Sequence, residues 1–155
     1  MFFPKSYFIT GGVGVSDISV INAFDKAVID AGVGDYNLVQ VSSIIPRNAI
    51  EIDPIKLETG TVVPIVISKK TGITGEQICS GIGWGQTKDK NLGLVMEHHD
   101  LGVNREEIEK KLFDMLREGS SIRNIKLECM KTHIEILEVP NKSYGCVVSC
   151  LVLVG

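Results

Sequence analysis

The chain has 155 residues, of which 44% are hydrophobic and 23% charged, and its formal net charge is −3. This length suits one domain with its own core, and the composition is that of an ordinary globular protein. The negative charge argues against nucleic-acid binding, and we interpret Lys69–Lys70 and Lys110–Lys111 as solvated surface. No apolar run approaches the roughly 20 residues that span a bilayer, and no secretory signal is evident, so we expect a cytoplasmic protein without a membrane partner.

The cysteines are expected to serve as small core residues. They form no C-x-x-C pair, and all of them lie in apolar, strand-like segments. Burial in a core is therefore preferred over a metal site or a disulfide. They are Cys79, Cys129, Cys146 and Cys150.

The first elements in chain order are a strand, a turn and a helix. The pattern predicts a strand over 6–10 and a glycine-rich turn over 11–14, which is only a weak phosphate-binding signal. A helix is predicted over 17–31, with Ser16 or Asp17 as its N-cap. Its apolar face comprises Val20, Ile21, Ala23, Phe24, Ala27, Val28 and Ala31.

One carboxylate of this helix stands out. On a helical wheel, Asp25 lies at the edge of the apolar stripe, between Ile18 and Ile21. A carboxylate flanked by isoleucines is unlike a plain solvated charge, and Asp25 is therefore a candidate functional residue.

Further along the chain, strands predominate. The patterns predict strands over 37–43, 61–68, 77–86, 92–98, 122–137 and 144–154. Glycines alternate at 81, 83 and 85, which leaves room for another group to approach the backbone closely. A change of phase between Cys129 and Ile134 suggests a bulge, and the last strand should be buried on both faces.

A second helix is predicted over 105–118. Asn104 and Glu107 form a capping-box pattern at its start, and Gly119 should end it. The order of elements predicts a single α+β domain, an αββα sandwich of mainly antiparallel sheets with the helices on the outer faces.

The usual catalytic motifs are absent from the sequence. There is no G-x-S-x-G elbow and no H-E-x-x-H, and the adjacent His98 and His99 cannot point the same way on a strand. Glu97, His99 and Asp100 are the one combination that remains open for metal binding. Polarity at a strand end is the preferred interpretation, and no metal is predicted.

Several separated motifs together resemble one family. They are Asn22-Ala23-Phe24-Asp25, Ala31-Gly32-Val33-Gly34, Asn37-Leu38, Val41-Ser42-Ser43-Ile44-Ile45-Pro46 and Gly93-Leu94-Val95-Met96-Glu97. In this order and spacing the chain resembles the pyruvoyl-dependent arginine decarboxylase family over nearly its whole length. Arg47, where proline is expected, and His98 depart from the pattern.

The resemblance implies self-processing at the Ser42–Ser43 bond. The Ser43 hydroxyl would attack the Ser42 carbonyl, and the resulting ester would eliminate and hydrolyse to leave a pyruvoyl group at position 43. The expected products are a β chain of residues 1–42 and an α chain of residues 43–155. The resemblance identifies Asn37 as the processing asparagine, a donor to the oxyanion.

The resemblance also implies the later chemistry. The pyruvoyl group from Ser43 replaces pyridoxal phosphate, without a metal, in the conversion of arginine to agmatine and CO₂, a reaction used in polyamine biosynthesis. Glu97 is the implied general acid, and the apolar residues before it could raise its pKa. Asp25 is the implied guanidinium ligand, and Ile44 an implied substrate contact. The family is trimeric or a dimer of trimers, with sites between subunits.

Two alternatives stay open. The first is a pyruvoyl decarboxylase of another amino acid, histidine or aspartate, although Asp25 favours a cationic side chain. The second is an unprocessed, non-catalytic trimer that binds a small cation or a partner protein. The presence of Ser42, Ser43, Asn37 and Glu97 together disfavours it, because binding alone needs neither a cleavable serine nor a proton donor.

Overall fold

Two sheets and two helices make up the computed structural model, which describes residues 1–155. The strands are β1 (Ser6–Ser16), β2 (Asn37–Gln40), β3 (Ile44–Ile45), β4 (Ile50–Glu51), β5 (Val62–Ile73), β6 (Gln77–Thr87), β7 (Gly93–Leu101), β8 (Leu127–Glu138) and β9 (Tyr144–Val154), and the helices are α1 (Val20–Asp30) and α2 (Arg105–Ile122). The first sheet has the order β2-β5-β9-β1-β4 and the second β3-β7-β6-β8. All neighbours are antiparallel except the β1–β4 and β2–β5 pairs.

The buried clusters reveal the order of the layers. Ala27 of α1 packs with Val148 of the first sheet, and Leu151 of that sheet packs with Ile82 of the second. Leu112 of α2 belongs to a third cluster, with residues of β6 and β8. The layers therefore run helix, sheet, sheet, helix, which confirms the predicted single α+β domain.

The predicted glycine-rich turn is wrong, because β1 runs straight through it. A Cβ on Gly12 would collide with the Ala27 carbonyl of α1, and one on Gly14 with the Ala23 carbonyl. These glycines therefore serve close packing of the helix backbone on the strand.

Helix α1 starts later than predicted. Its N-cap is Ser19, whose side chain accepts a hydrogen bond from the Asn22 amide at 3.0 Å, because β1 continues as far as Ser16. Its buried face is narrower than expected, because Ile21 points outward and is 79% exposed.

Helix α2 has the predicted capping box, with Asn104 and Glu107 bonding reciprocally at 2.8 and 2.9 Å. It continues past Gly119, which is buried where an added Cβ would meet Met96. Of the alternating glycines of β6, Gly81 and Gly83 receive Leu112 and Leu116 of this helix, whereas a Cβ on Gly85 would meet Met130 and Leu127.

Of the two last strands, β9 has its predicted bounds, whereas β8 begins at Leu127 rather than at residue 122, because α2 continues to Ile122. The β6–β8 register shifts near Trp84 and Gln86, and Cys129 has a φ of 47°, which confirms a bulge in β8. Strand β9 is buried on both faces between its first and last residues. Three cysteines are buried as predicted, but Cys129 is exposed.

Candidate functional site

The site is built where the chain crosses from one sheet to the other. Strand β2 lies in the first sheet and β3 in the second, and residues 41–43 join them. Before the crossing, the Val41 amide donates to the Ile65 carbonyl at 2.9 Å. After it, the Ser43 carbonyl accepts from the Val95 amide of β7 at 3.0 Å. The Ser42–Ser43 bond thus lies between two hydrogen-bonded residues: Val41 is bonded to the first sheet and Ser43 to the second. The predicted strand over 37–43 ends earlier, at Gln40, for this reason.

The Ser42 carbonyl already accepts a main-chain hydrogen bond. The Ile44 amide donates to it at 2.9 Å, which closes a three-residue turn centred on Ser43. Ser42 is exposed and Ser43 half-buried. Attack on this carbonyl would place negative charge on the oxygen that faces the Ile44 N–H, a geometry that stabilises an oxyanion.

Strand β7 brings Glu97 to the same region. Val95 packs in the cluster between the sheets, whereas Met96 contacts the cluster beneath α2. Because side chains alternate along a strand, Glu97 points to the same side as Val95, whose amide holds Ser43. Two strand residues span about 7 Å, so Glu97 and Ser43 are near neighbours.

The environment of Glu97 favours its protonated form. Its Oε2 atom is buried and has no hydrogen-bond partner. Burial raises the pKa of this carboxyl above its ordinary value, because the charged form loses hydration without gaining a partner. A carboxyl of this kind suits proton donation at a higher pH than an exposed glutamate does.

Glu97 lines a cavity of about 600 Å³, within the usual range for small-molecule sites. The first sheet and α1 supply its apolar side chains together with Gln40 and Lys69, and β7 supplies its other polar side chains. Its lining residues are Phe24, Leu38, Gln40, Ile65, Ile67, Lys69, Glu97, His98 and His99.

Lys69 brings positive charge to this cavity. It was interpreted from sequence as solvated surface, but its Nζ lies 4.8 Å from the centre of the Phe24 ring, and it forms no ion pair. A cationic wall favours the carboxylate end of an amino acid and repels a guanidinium. The alternation that places Ile65, Ile67 and Lys69 on one face of β5 could have revealed this position.

Asp25 lies elsewhere on the surface of the chain. It is exposed on α1 and does not line the cavity. One helical turn on either side are Ile21 and Ile29, which are 79% and 57% exposed. Asp25 was predicted to lie at the edge of the buried apolar face of α1. It lies instead on the exposed face, at the centre of a stripe that contains Ile21 and Ile29.

Asn37 and Ile44 occupy different ends of this region. The Asn37 side-chain amide donates to the Gly60 carbonyl at 2.8 Å, at the end of β2 farther from Ser42. Ile44 is half-buried and pairs with Leu94 of β7. Within one chain, Ser42, Ser43 and Ile44 lie beside the stretch of β7 that carries Glu97, although none of the three lines its cavity. Asp25 and Asn37 lie elsewhere.

Two further properties concern ligands and membranes. No group of three or more His, Cys, Asp and Glu side chains is arranged to hold a metal ion. Neither helix combines the length and apolar character needed to traverse a bilayer.

Comparison with known proteins identifies similar sequences. A model of the pyruvoyl-dependent arginine decarboxylase family matches residues 6–155. A pyruvoyl-dependent arginine decarboxylase of Methanopyrus kandleri is 34% identical over 155 residues, which cover 98% of each chain. One of Methanococcus vannielii is 34% identical over 81% of this chain and 76% of its own. One of Methanothermobacter thermautotrophicus is 32% identical over 70% and 71% of the two chains.

Proposed function

This chain belongs to the pyruvoyl-dependent arginine decarboxylase family, and we propose that it converts L-arginine to agmatine and CO₂ after cleaving itself between Ser42 and Ser43. The observation that carries the proposal is the Ser43–Val95 hydrogen bond, because it fixes the cleavable serine two strand residues from the buried Glu97.

The proposed self-cleavage draws on the Ser43 hydroxyl, on the Ile44 N–H and, after assembly, on Asn37. The Ser43 hydroxyl attacks the Ser42 carbonyl carbon, and the Ile44 N–H stabilises the oxyanion while the peptide becomes an ester. Elimination then releases residues 1–42 with a terminal carboxylate and leaves dehydroalanine at position 43. Water hydrolyses this residue, ammonia departs, and a pyruvoyl group begins the chain of residues 43–155.

The residues around position 43 fit such a group. Serine supplies the β-oxygen that acts first as nucleophile and then as leaving group. Glu97, whose Oε2 is buried without a partner, lines the nearby cavity. The pyruvoyl group supplies a carbonyl that condenses with the substrate amine and accepts electrons as CO₂ departs. Glu97 then protonates the carbon that has lost CO₂.

Asp25 is proposed to bind the substrate guanidinium in the site of a neighbouring subunit. A carboxylate accepts two parallel N–H bonds from a guanidinium, which stays charged at any relevant pH. Its exposure within a stripe of isoleucines supports an interface at this surface, since exposed apolar patches of this kind mark association sites. We therefore propose a homo-oligomer, a trimer or a dimer of trimers, in which Asn37 also reaches a site only after assembly.

The test is the Ser43→Ala variant, assayed with carboxyl-labelled arginine and with histidine. Wild-type protein should release CO₂ from arginine and form agmatine, and the variant should remain uncleaved and inactive. Equal CO₂ release from the variant would refute a pyruvoyl group at position 43. Faster release from histidine than from arginine would overturn the proposed substrate.

A further inference from the structure

Decarboxylation consumes a proton in every cycle. The substrate carboxylate leaves as CO₂ and the carbon that carried it gains H⁺, so one proton enters from solvent for each product formed. If Glu97 donates this proton, as the proposed function requires, its carboxylate must be reprotonated before the next turnover. The need to reprotonate Glu97 therefore rests on the proposed function.

Glu97 has no protein partner that could reprotonate it directly. Its buried Oε2 makes no hydrogen bond, so a proton has to arrive through the cavity. The first sheet contributes Lys69 to the cavity wall and Lys70 beside it, and β7 contributes the two histidines. Lysine is a poor relay near neutral pH, because its ordinary pKa is about 10.

His99 is a neighbour of Glu97 on β7 and the more exposed of the two. It is exposed, lines the same cavity, and follows Glu97 by two residues on the same face of a regular β7 ladder. The two Cα atoms are therefore about 7 Å apart, a separation that the flexible Glu97 side chain and one bridging water can close. An imidazole accepts a proton at one nitrogen and releases one from the other, as a relay requires.

The charges around His99 keep its neutral form accessible. Partial burial, followed by the positive charges of Lys70 and His98, lowers its pKa, and Asp100 opposes them. Lys69 and Glu97 complete the set of titratable groups facing the cavity. An imidazole that readily loses its proton is suited to passing that proton to a carboxylate.

His98 provides a matched control in the adjacent position. Its side chain lies on the opposite face of β7, with Nε2 3.6 Å from the Asp100 carboxylate. It therefore has a different partner and does not share the face of Glu97.

We propose that His99 relays a proton from solvent to Glu97 in each catalytic cycle. His99 is thus a positioning and proton-transfer residue that acts through Glu97.

The decisive experiment compares His99→Gln and His98→Gln in rapid-quench kinetics. Both variants should self-cleave normally. In His99→Gln the first turnover should keep its wild-type rate, because Glu97 exchanges protons with solvent before mixing, while steady-state kcat falls about tenfold or more and KM stays within twofold. Added imidazole should restore kcat, and His98→Gln, which also alters the cavity wall, should keep the first-turnover and steady-state rates in their wild-type ratio. An unchanged steady-state kcat in His99→Gln would overturn the relay, as would an equal slowing of the first turnover.

A second readout does not depend on catalysis. In the uncleaved Ser43→Ala protein, NMR titration of the imidazole C2 protons should show that Glu97→Gln displaces the His99 midpoint by a few tenths of a pH unit and leaves that of His98 in place. No displacement at His99 would contradict the pairing. Absence of CO₂ release by wild-type protein would instead refute the proposed function, whatever the NMR result.

Discussion

Replacing Glu97 with glutamine isolates the role of the buried carboxyl. Glutamine preserves the shape of the side chain but cannot donate a proton as an acid does. Since Oε2 has no hydrogen-bond partner, the substitution breaks no existing bond at that atom, and the fold should be retained. Cleavage between Ser42 and Ser43 should also proceed, because Ser43 and the Ile44 amide carry that step.

The expected loss is large, because no other carboxyl group lines the cavity. Positioned general acids contribute typically 10²–10⁴-fold to rate, so kcat should fall by about two to four orders of magnitude, or about 3–5 kcal/mol in activation free energy. KM for arginine should change little, since the proton is transferred after the substrate binds.

The dependence of kcat on pH tests the role of Glu97 independently. Burial raises the pKa of Glu97, so the donor is protonated below that raised value and loses its proton as pH increases through it. Wild-type kcat should therefore fall on the alkaline side of this pKa. The glutamine variant should lack this titration.

The assay is CO₂ release from carboxyl-labelled arginine, normalised to the pyruvoyl content that mass spectrometry measures. A kcat within threefold of wild type at full pyruvoyl content would remove Glu97 as the proton donor. If kcat of the glutamine variant falls at alkaline pH as wild-type kcat does, the titration belongs to another group.

Four further outcomes test the rest of the structure. Asp25→Asn should raise KM for arginine about ten- to a hundredfold with kcat largely retained, and an unchanged KM would exclude Asp25 from the guanidinium site. Ile21→Lys should dissociate the assembly in light scattering, since Ile21 is 79% exposed in the single chain, and an unchanged mass would exclude this stripe from the interface. Leu112→Ala should cost about 2–5 kcal/mol in denaturant unfolding, because Leu112 is fully buried, and a loss below 1 kcal/mol would contradict its packing. A thiol reagent should modify only Cys129 in the native chain, and fast reaction of a second cysteine would contradict the burial of the others.

Local sequence signals predicted the start of helix α2 correctly but not the structural role of several glycines. The capping box at Asn104 depends on residues three apart and is correct. Gly12 and Gly14 were predicted to form a turn, but they are strand residues on which α1 packs. Composition cannot distinguish a glycine that bends the chain from one that admits a neighbouring backbone, because both require only the absence of Cβ. Gly119 illustrates the same limit inside α2.

For the candidate site too, the sequence indicated which residues to consider but not where they lie relative to one another. The family resemblance pointed to Ser42, Ser43 and Glu97, but their proximity depends on pairing between β3 and β7, which lie far apart in sequence. The N–H of Ile44 that donates to the Ser42 carbonyl is a main-chain group, so the type of residue at this position could not reveal it. The outward position of Asp25 was unpredictable for another reason, since an apolar stripe looks the same whether it faces its own core or a neighbouring subunit.

Self-cleavage is the central claim, and the intact mass of the purified full chain under denaturing conditions tests it most directly. The account predicts two fragments, residues 1–42 and residues 43–155. The larger should be blocked to amino-terminal sequencing and should react with a carbonyl reagent. A single intact chain after prolonged incubation, with a free amine at its only amino terminus, would contradict it.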